Sequence, residues 1–359
     1  MMSPDDLFKR MQSCCHPHNN HRPPFTLVLG SGFSFPIIPT TSQIVREDLP
    51  WWQWCRSNQS GTLGPNVYQT NLNGATTPEA KLEAKAFWKR VHAVQRNRAA
   101  ELRFELDADG LPTKETVGQA YRFALSPDCG PGVNNPADVR RYFGDIIRRV
   151  GRRLNPSHLF LAAVIAAYPK LFGTIFTTNF DPLLQRALQL FNVPYFVSDR
   201  PDTMQDPDDD NVADAIHVIH AHGSIYRYLL LNSPQEIENY ANRNQQMLQK
   251  YFHHHAVMIV GYSGWDDAIT RALTNVDQFA HNLYWCDRAS NPETSGLTPD
   301  AKAILAKHHN AFFVPIRNSD SMMAQLHQRL LGTTLPALFH SPILAAKEQL
   351  DLCDLTGIK

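Results

Sequence analysis

Apolar residues in this chain gather first into short unbroken runs. FTLVLG at 25–30 reads as a buried strand running into a glycine-rich turn, GSGFS. The next run of that type, LFGTIFTTN at 171–179, comes about 140 residues later. From there strands and helices alternate. LFGTIFTT leads to helix PLLQRALQLF, then to short strands PYFVS and AIHVIHA. Helix PQEIENYANRNQQMLQKYF precedes strand AVMIVGYS, helix DDAITRALTNV precedes NLYWCD, and AKAILAKHH precedes AFFVPI. Helix DSMMAQLHQRLL closes the series. This alternation predicts an α/β fold: a Rossmann-like parallel sheet with helices on both faces.

Between the first two strands the period changes. Residues 79–106 are rich in Ala, Glu, Lys and Arg. Residues 137–154 repeat Val139, Tyr142, Phe143, Ile146, Ile147 and Val150 at helical spacing. Pro156 and Ser157 open a further helix, HLFLAAVIAAY. The expected organisation is an N-terminal arm (1–24), a nucleotide-binding core (25–35 and 171–335), a mostly helical insertion after the first strand (36–170) and a C-terminal tail (336–359). Trp51, Trp52 and Trp54 suit either the insertion's core or an interface. The polar stretch PDTMQDPDDDN reads as a surface loop.

Composition narrows the function classes. Lys+Arg and Asp+Glu are both 34, so the formal net charge is zero. No global field favours nucleic acid or an anionic membrane, and no sequence-specific nucleic-acid binding is expected. Arg140, Arg141, Arg148, Arg149, Arg152 and Arg153 read as the solvated face of a helix. The longest apolar run, Leu159 to Tyr168, falls short of the roughly 20 residues of a membrane span. MMSPDDLFKR lacks the apolar centre of a signal peptide, so a cytoplasmic location is expected. Six scattered cysteines with no C-x-x-C pair argue against a disulfide framework or zinc ribbon. The cluster Cys14, Cys15, His16, His18 and His21 is a poor tetrahedral ligand set, and no metal is expected.

In such sheets ligands sit at the carboxyl ends of the strands, and that is where the unusual residues lie. Gly30, Ser31, Gly32 and Ser34 form a G-x-G-x-S turn suited to a pyrophosphate, although Phe35 stands where the full dinucleotide fingerprint has glycine. TTNFDPLL follows the second long strand. Capping accounts for Asp181 and Pro182 there, but not for Thr177, Thr178 and Asn179. IHVIHAHGS ends with His222 before Gly223, well placed for proton transfer near neutral pH, whereas His217 and His220 suit satisfied core positions. VMIVGYSGWDD places Gly261 and Ser263 at a strand-end turn suited to phosphate or ribose, with Asp266 as a cap for the following helix.

Taken in order, GSGFS, IFTTNFD, HAHGS and GYSGWD resemble the sirtuin family, and more closely its prokaryotic NAD-hydrolysing branch, over residues 25 to about 330. The resemblance implies NAD+ as substrate. It implies phosphate contacts from Gly30, Ser31, Gly32 and Ser34, with Thr178 beside them. Asn179 would hold the nicotinamide-side ribose or the attacking water, Asp181 would lie by the carboxamide, and His222 would be base or ribose contact. Gly261, Ser263 and Asp287 would serve the adenosine side. Deacylating sirtuins carry an Ala-Gly-Ile-Pro-Asp-Phe-Arg run where Phe35 to Thr40 stand here, and a four-cysteine zinc module absent here. The expectation is therefore an NAD+ glycohydrolase acting as NAD-depleting effector in antiphage defence. The alternatives are a deacylase or ADP-ribosyltransferase, and a non-catalytic scaffold sensing NAD or ADP-ribose, against which Asn179 and His222 weigh. A toxic activity needs restraint. The resemblance points to homo-oligomerisation and to a separately encoded regulator such as a HerA-like DNA-translocase ATPase or an Argonaute-like protein.

Overall fold

A computed structural model of the chain describes residues 1–15, 25–57, 68, 77–95, 103–113, 116–125, 136–199, 215–224, 234–265 and 267–332. His16, His18, His21, Asp266, the loop at 201–211 and the tail at 336–359 lie outside the described residues.

A parallel sheet of seven strands forms the centre: β1 (Phe25–Leu29), β2 (Phe172–Thr177), β3 (Tyr195–Ser198), β4 (Ile216–His220), β5 (Ala256–Val260), β6 (Leu283–Asp287) and β7 (Ala311–Pro315). Their order is β3-β4-β2-β1-β5-β6-β7, and every pairing is parallel. The doubly covered Rossmann-like fold read from the sequence is thus the one observed.

The continuous apolar runs follow from burial on both faces. All five β1 residues are buried. Leu27 and Leu29 enter one core with the helices Pro156–Ala167, Leu183–Leu190 and Ser319–Leu331, while Val28 enters the other with the helices Pro234–His254, Ala268–Thr274 and Pro299–Lys307. The N-terminal helix Pro4–Cys14 joins the first core through Leu7, Phe8 and Met11. The helix Pro156–Ala167 packs on the sheet as well, against Ser319–Leu331.

A third core belongs to the helices before residue 151. Trp51, Trp52, Trp88, Phe104, Phe123, Tyr142 and Phe143 are buried there. Of the three tryptophans left open by sequence, Trp51 and Trp52 are core residues, and Trp54 packs partly buried against them. The helix expected over 79–106 spans Pro78–Gln95. Residues 103–113 instead make a turn closed by a Leu106–Pro112 bridge.

The arginine-rich helix Pro136–Val150 has the solvated face expected of it, Arg141 and Arg148 being exposed, but Arg149 turns inward. Arg149 pairs at 2.7 Å with the buried Asp48, whose other oxygen accepts from Tyr68 and Tyr142. Arg148 pairs with Asp145, and Arg153 donates to the carbonyls of Val150 and Arg149. This core meets the sheet at the loop after β2, where Phe143 packs on Phe180.

Candidate active site

The chain leaves β1 toward β2 on one side and reaches β5 on the other, so a crevice opens between the carboxyl ends of β1 and β5. Two loops cross there at close range. The Gly30 amide donates to Val260 O, and the Gly32 amide to Gly261 O. A Cβ on Gly30 would lie 2.3 Å from Gly261 O. One on Gly261 would lie 2.5 Å from Phe33 N, and Gly261 also has φ +69°. Backbone crossing alone therefore demands glycine at 30 and 261, independently of any phosphate. After Gly30 the chain makes a single helical turn, Ser31–Ser34.

A cavity of about 470 Å³ opens beside this crossing, within the range of small-molecule sites. Ser31, Thr178, Asn179, Asp181, His222, Gly261 and Ser263 all line it, so residues from four strand ends meet in one wall. The insertion supplies the facing wall, with Thr40, Thr41, Val117, Tyr121 and Arg122. Gly30, Gly32, Ser34 and Asp287 do not line it.

Ser34 is fully buried and points inward. The Asn179 side-chain nitrogen donates to both Gly30 O and Ser34 Oγ at 3.0 Å. Both its hydrogens are thereby used, so Asn179 offers a ligand only an acceptor, Oδ1. His158 Nε2 lies 3.5 Å from Ser34 Oγ, and burial pushes that imidazole down to about 3, which keeps it neutral.

Asp181 combines two roles. Its Oδ1 accepts the Leu183 amide at the start of the helix, with Pro182 in the cap position. Its Oδ2 is buried and accepts no well-formed hydrogen bond among the described residues, although the Ser34 hydroxyl lies near the carboxyl. Burial raises its carboxyl to about 6, against the lowering effects of the Leu183 amide and the nearby Ser34 hydroxyl. An orphaned buried acceptor in a cavity wall is fitted to receive a ligand donor.

The three histidines of IHVIHAHGS separate as their surroundings dictate. His217 lies 2.7 Å from Ser198 Oγ, stacks on Phe196 and is pushed by burial down to about 4. His220 donates from Nδ1 to the Asn179 carbonyl and meets Gln185 through Nε2; burial lowers it too. His222 alone reaches the cavity, a quarter exposed, with its Nε2 3.0 Å from Asp267 Oδ2. Asp267 is also the cap of the helix Ala268–Thr274, a position the sequence pattern had suggested for Asp266.

On the far side Arg288 lines the cavity rather than Asp287, whose carboxylate caps the Ala289 amide. Arg122 and Arg288 bring positive charge to a lining that also holds the carboxyls of Asp181 and Asp267. Sequence reasoning missed both, together with Tyr121, Trp265 and Asp267. Arg288 was within reach, since it follows a strand directly. Arg122 sits on a helix of the insertion, where nothing local marks it.

The fold and cavity define a Rossmann-type protein with its ligand site at the carboxyl edge of the sheet. Residues 173–313, running from β2 into β7, match the sequence model of the SIR2-like domain. No curated protein matches it. Among solved structures the chain is similar to a Sir2 enzyme described for its mechanism and regulation, at 10% identity and TM-score 0.35, covering 91% of this chain and 98% of that one. It is also similar to a mutant Sir2 homologue in complex with ADP-ribose, at 12% identity and TM-score 0.36, covering 92% and 99%. A Sir2 homologue–NAD complex gives 12% identity, TM-score 0.36 and coverage of 91% and 93%. Among the described residues no cluster of His, Cys, Asp or Glu is arranged to hold a metal, and no helix is long and apolar enough to cross a membrane.

Proposed function

We propose that this chain is a sirtuin-like NAD+ glycohydrolase, with residues 25–35 and 171–335 as its nucleotide-binding core. The observation that carries the reading is the convergence of Asn179, Asp181 and His222 on one cavity wall within the SIR2-like segment. The bond between nicotinamide N1 and ribose C1′ breaks, its electron pair returns to the ring, and the pyridinium charge disappears. Water bonds to C1′ and gives up a proton, yielding nicotinamide, ADP-ribose and H+.

Each wall residue has a part. Asp181 Oδ2 accepts from the carboxamide of nicotinamide and orients the leaving group. Asn179 Oδ1 accepts from a ribose hydroxyl or the attacking water. His222 takes the proton. Thr178 and Ser31 contact the sugar-phosphate chain, with Arg122 and Arg288 as the cations nearest a pyrophosphate. Gly261 and Ser263 flank the adenosine side. Gly30, Gly32, Ser34 and Asp287 act from behind the wall: Ser34 and Gly30 orient Asn179, Gly32 keeps the two loops close, and Asp287 shapes the loop bearing Arg288.

The direct test follows nicotinamide release from NAD+ by purified protein, alone and with the product of a neighbouring gene. Asn179→Ala and His222→Ala are expected to stay folded and lose at least about 100-fold in turnover, the usual weight of one acid–base or electrostatic group. Wild-type turnover in either variant removes that residue from the mechanism. Release that requires an added acyl-lysine peptide would assign the site to a deacylase instead.

A further inference from the structure

We propose that Asp267 is the positioning residue of His222, so that the site works as a carboxylate–imidazole pair with Nδ1, not Nε2, turned toward the ligand. The proposal rests on the NAD+ glycohydrolase reading for its kinetic consequences, but not for the pairing itself.

Asp267 is completely buried at the head of the helix Ala268–Thr274. Its Oδ1 is saturated: it accepts the amides of Ile269 and Thr270 at 3.0 Å and the Tyr262 hydroxyl at 2.6 Å. Tyr262 is held in turn, 2.7 Å from Thr270 Oγ1. Three donors therefore fix the carboxylate. Oδ2 is buried and holds no hydrogen bond among the described residues, while His222 Nε2 stands 3.0 Å away, close enough for a turn of the ring to close one. Nε2 is likewise enclosed and holds no hydrogen bond among the described residues, so the two unsatisfied atoms face each other. A carboxylate oxygen only accepts, so the hydrogen of a neutral imidazole belongs on Nε2. The lone pair is then on Nδ1, while His222 remains a quarter exposed in the cavity wall. The carboxylate also stabilises the imidazolium that forms once Nδ1 has taken a proton.

Asp267 thus does more than cap a helix. A cap needs one oxygen for backbone amides, and Ser or Asn would serve. The second oxygen, buried and aimed at an imidazole, has no use in capping.

The variant that separates the two roles is Asp267→Asn, which retains an oxygen for Ile269, Thr270 and Tyr262 but removes the charge. Asp267→Ser, which also caps, is the companion. Two measurements are made on the full-length protein. The first is imidazole nitrogen–proton correlation spectra of 15N-histidine-labelled protein, with the His222 signals assigned by their loss in H222N. In the wild type these are expected to show the Nε2–H form. In D267N, whose oxygen stays with the backbone amides and whose NH2 then faces Nε2, the spectrum should switch to the Nδ1–H form. The second is the steady-state rate of NAD+ cleavage, where D267N should lower kcat/KM about tenfold or more with KM little changed. Asp181, Arg122 and Arg288 face the same cavity in both proteins, so the difference reports Asp267 alone. Protonation of Nδ1 in the wild type overturns the proposal even if neither variant folds. So does a folded D267N with unchanged tautomer and turnover. A wild-type protein that shows the Nε2–H form and does not cleave NAD+ would overturn the glycohydrolase reading and leave the pairing standing.

Discussion

Asp181 shows how one side chain serves folding and chemistry at opposing cost. Its carboxyl is raised from 3.8 to about 6 because the folded chain buries it. The native state therefore holds the proton more tightly than the unfolded chain. Stability from this group falls as pH rises from about 4 to about 6 and stays low above, opposite in sign to an ion-paired aspartate. Asp181→Asn keeps an acceptor for the Leu183 amide and removes the buried charge. At pH 7.5 it is expected to raise unfolding stability by about 2–3 kcal/mol, since each tenfold change in proton affinity corresponds to roughly 1.4 kcal/mol. At pH 4 the gain should vanish. NAD+ cleavage should fall at the same time, since the leaving group loses its ionisable partner. Melting curves of both proteins at the two pH values check the sign; equal stability at pH 7.5 would show that the carboxylate costs nothing.

At the scale of elements, the crossing of the loops after β1 and β5 matters most. Sequence showed a strand followed by G-x-G and suggested an approach to phosphate. The structure gives those glycines a nearer neighbour, each other. Gly30 and Gly32 press on Gly261, and Gly261 needs both a left-handed backbone and the space a Cβ would fill. Gly261→Ala should drive the loops apart and lower unfolding stability by at least about 2 kcal/mol, since strain and overlap add. Urea denaturation measures it, and a loss below about 0.5 kcal/mol would mean that the loops yield easily. At this scale the sequence was legible wherever a rule is local. Every strand predicted from residue 171 on is present to within three residues at either end, because burial leaves a run of apolar residues. Which of two neighbours at a strand end turns inward was not legible: Arg288 lines the cavity and Asp287 does not, and Asp267 rather than Asp266 caps the helix. Such choices depend on loop geometry set by distant contacts.

At the scale of the molecule, the cavity belongs to two parts of the chain at once. The sheet supplies Asn179, Asp181 and His222, and the insertion closes the opposite side with Tyr121 and Arg122. Anything that shifts the insertion, which is pinned at Phe143–Phe180 and Tyr121–Trp265, alters the site. The NAD+ glycohydrolase proposed above would have to rest in an inactive state. The lone chain is accordingly expected to be an oligomer of low turnover, activated by a separately encoded partner such as a HerA-like ATPase or an Argonaute-like protein. Light scattering and NAD+ turnover on the isolated protein decide this, and a monomer at full rate, unchanged by any neighbouring gene product, would overturn it.

Sequence by itself determined the parallel sheet, the helical layers on its faces and the stations along the chain where chemistry is concentrated. The first two follow from periodicity, and the stations were marked by polar residues such as Asn179, Asp181 and His222 at strand ends. Tertiary structure alone decided the rest. It turned Ser34 away from the cavity to hold Asn179, buried Asp181 deeply enough to raise its carboxyl, and set Asp267 beside His222. The reason is one of range. Periodicity records which face of an element is dry, a local property. Hydrogen-bond partners, burial of charge and the closing wall of a cavity depend on segments such as 30–34, 117–122 and 261–267, which only the folded chain brings together.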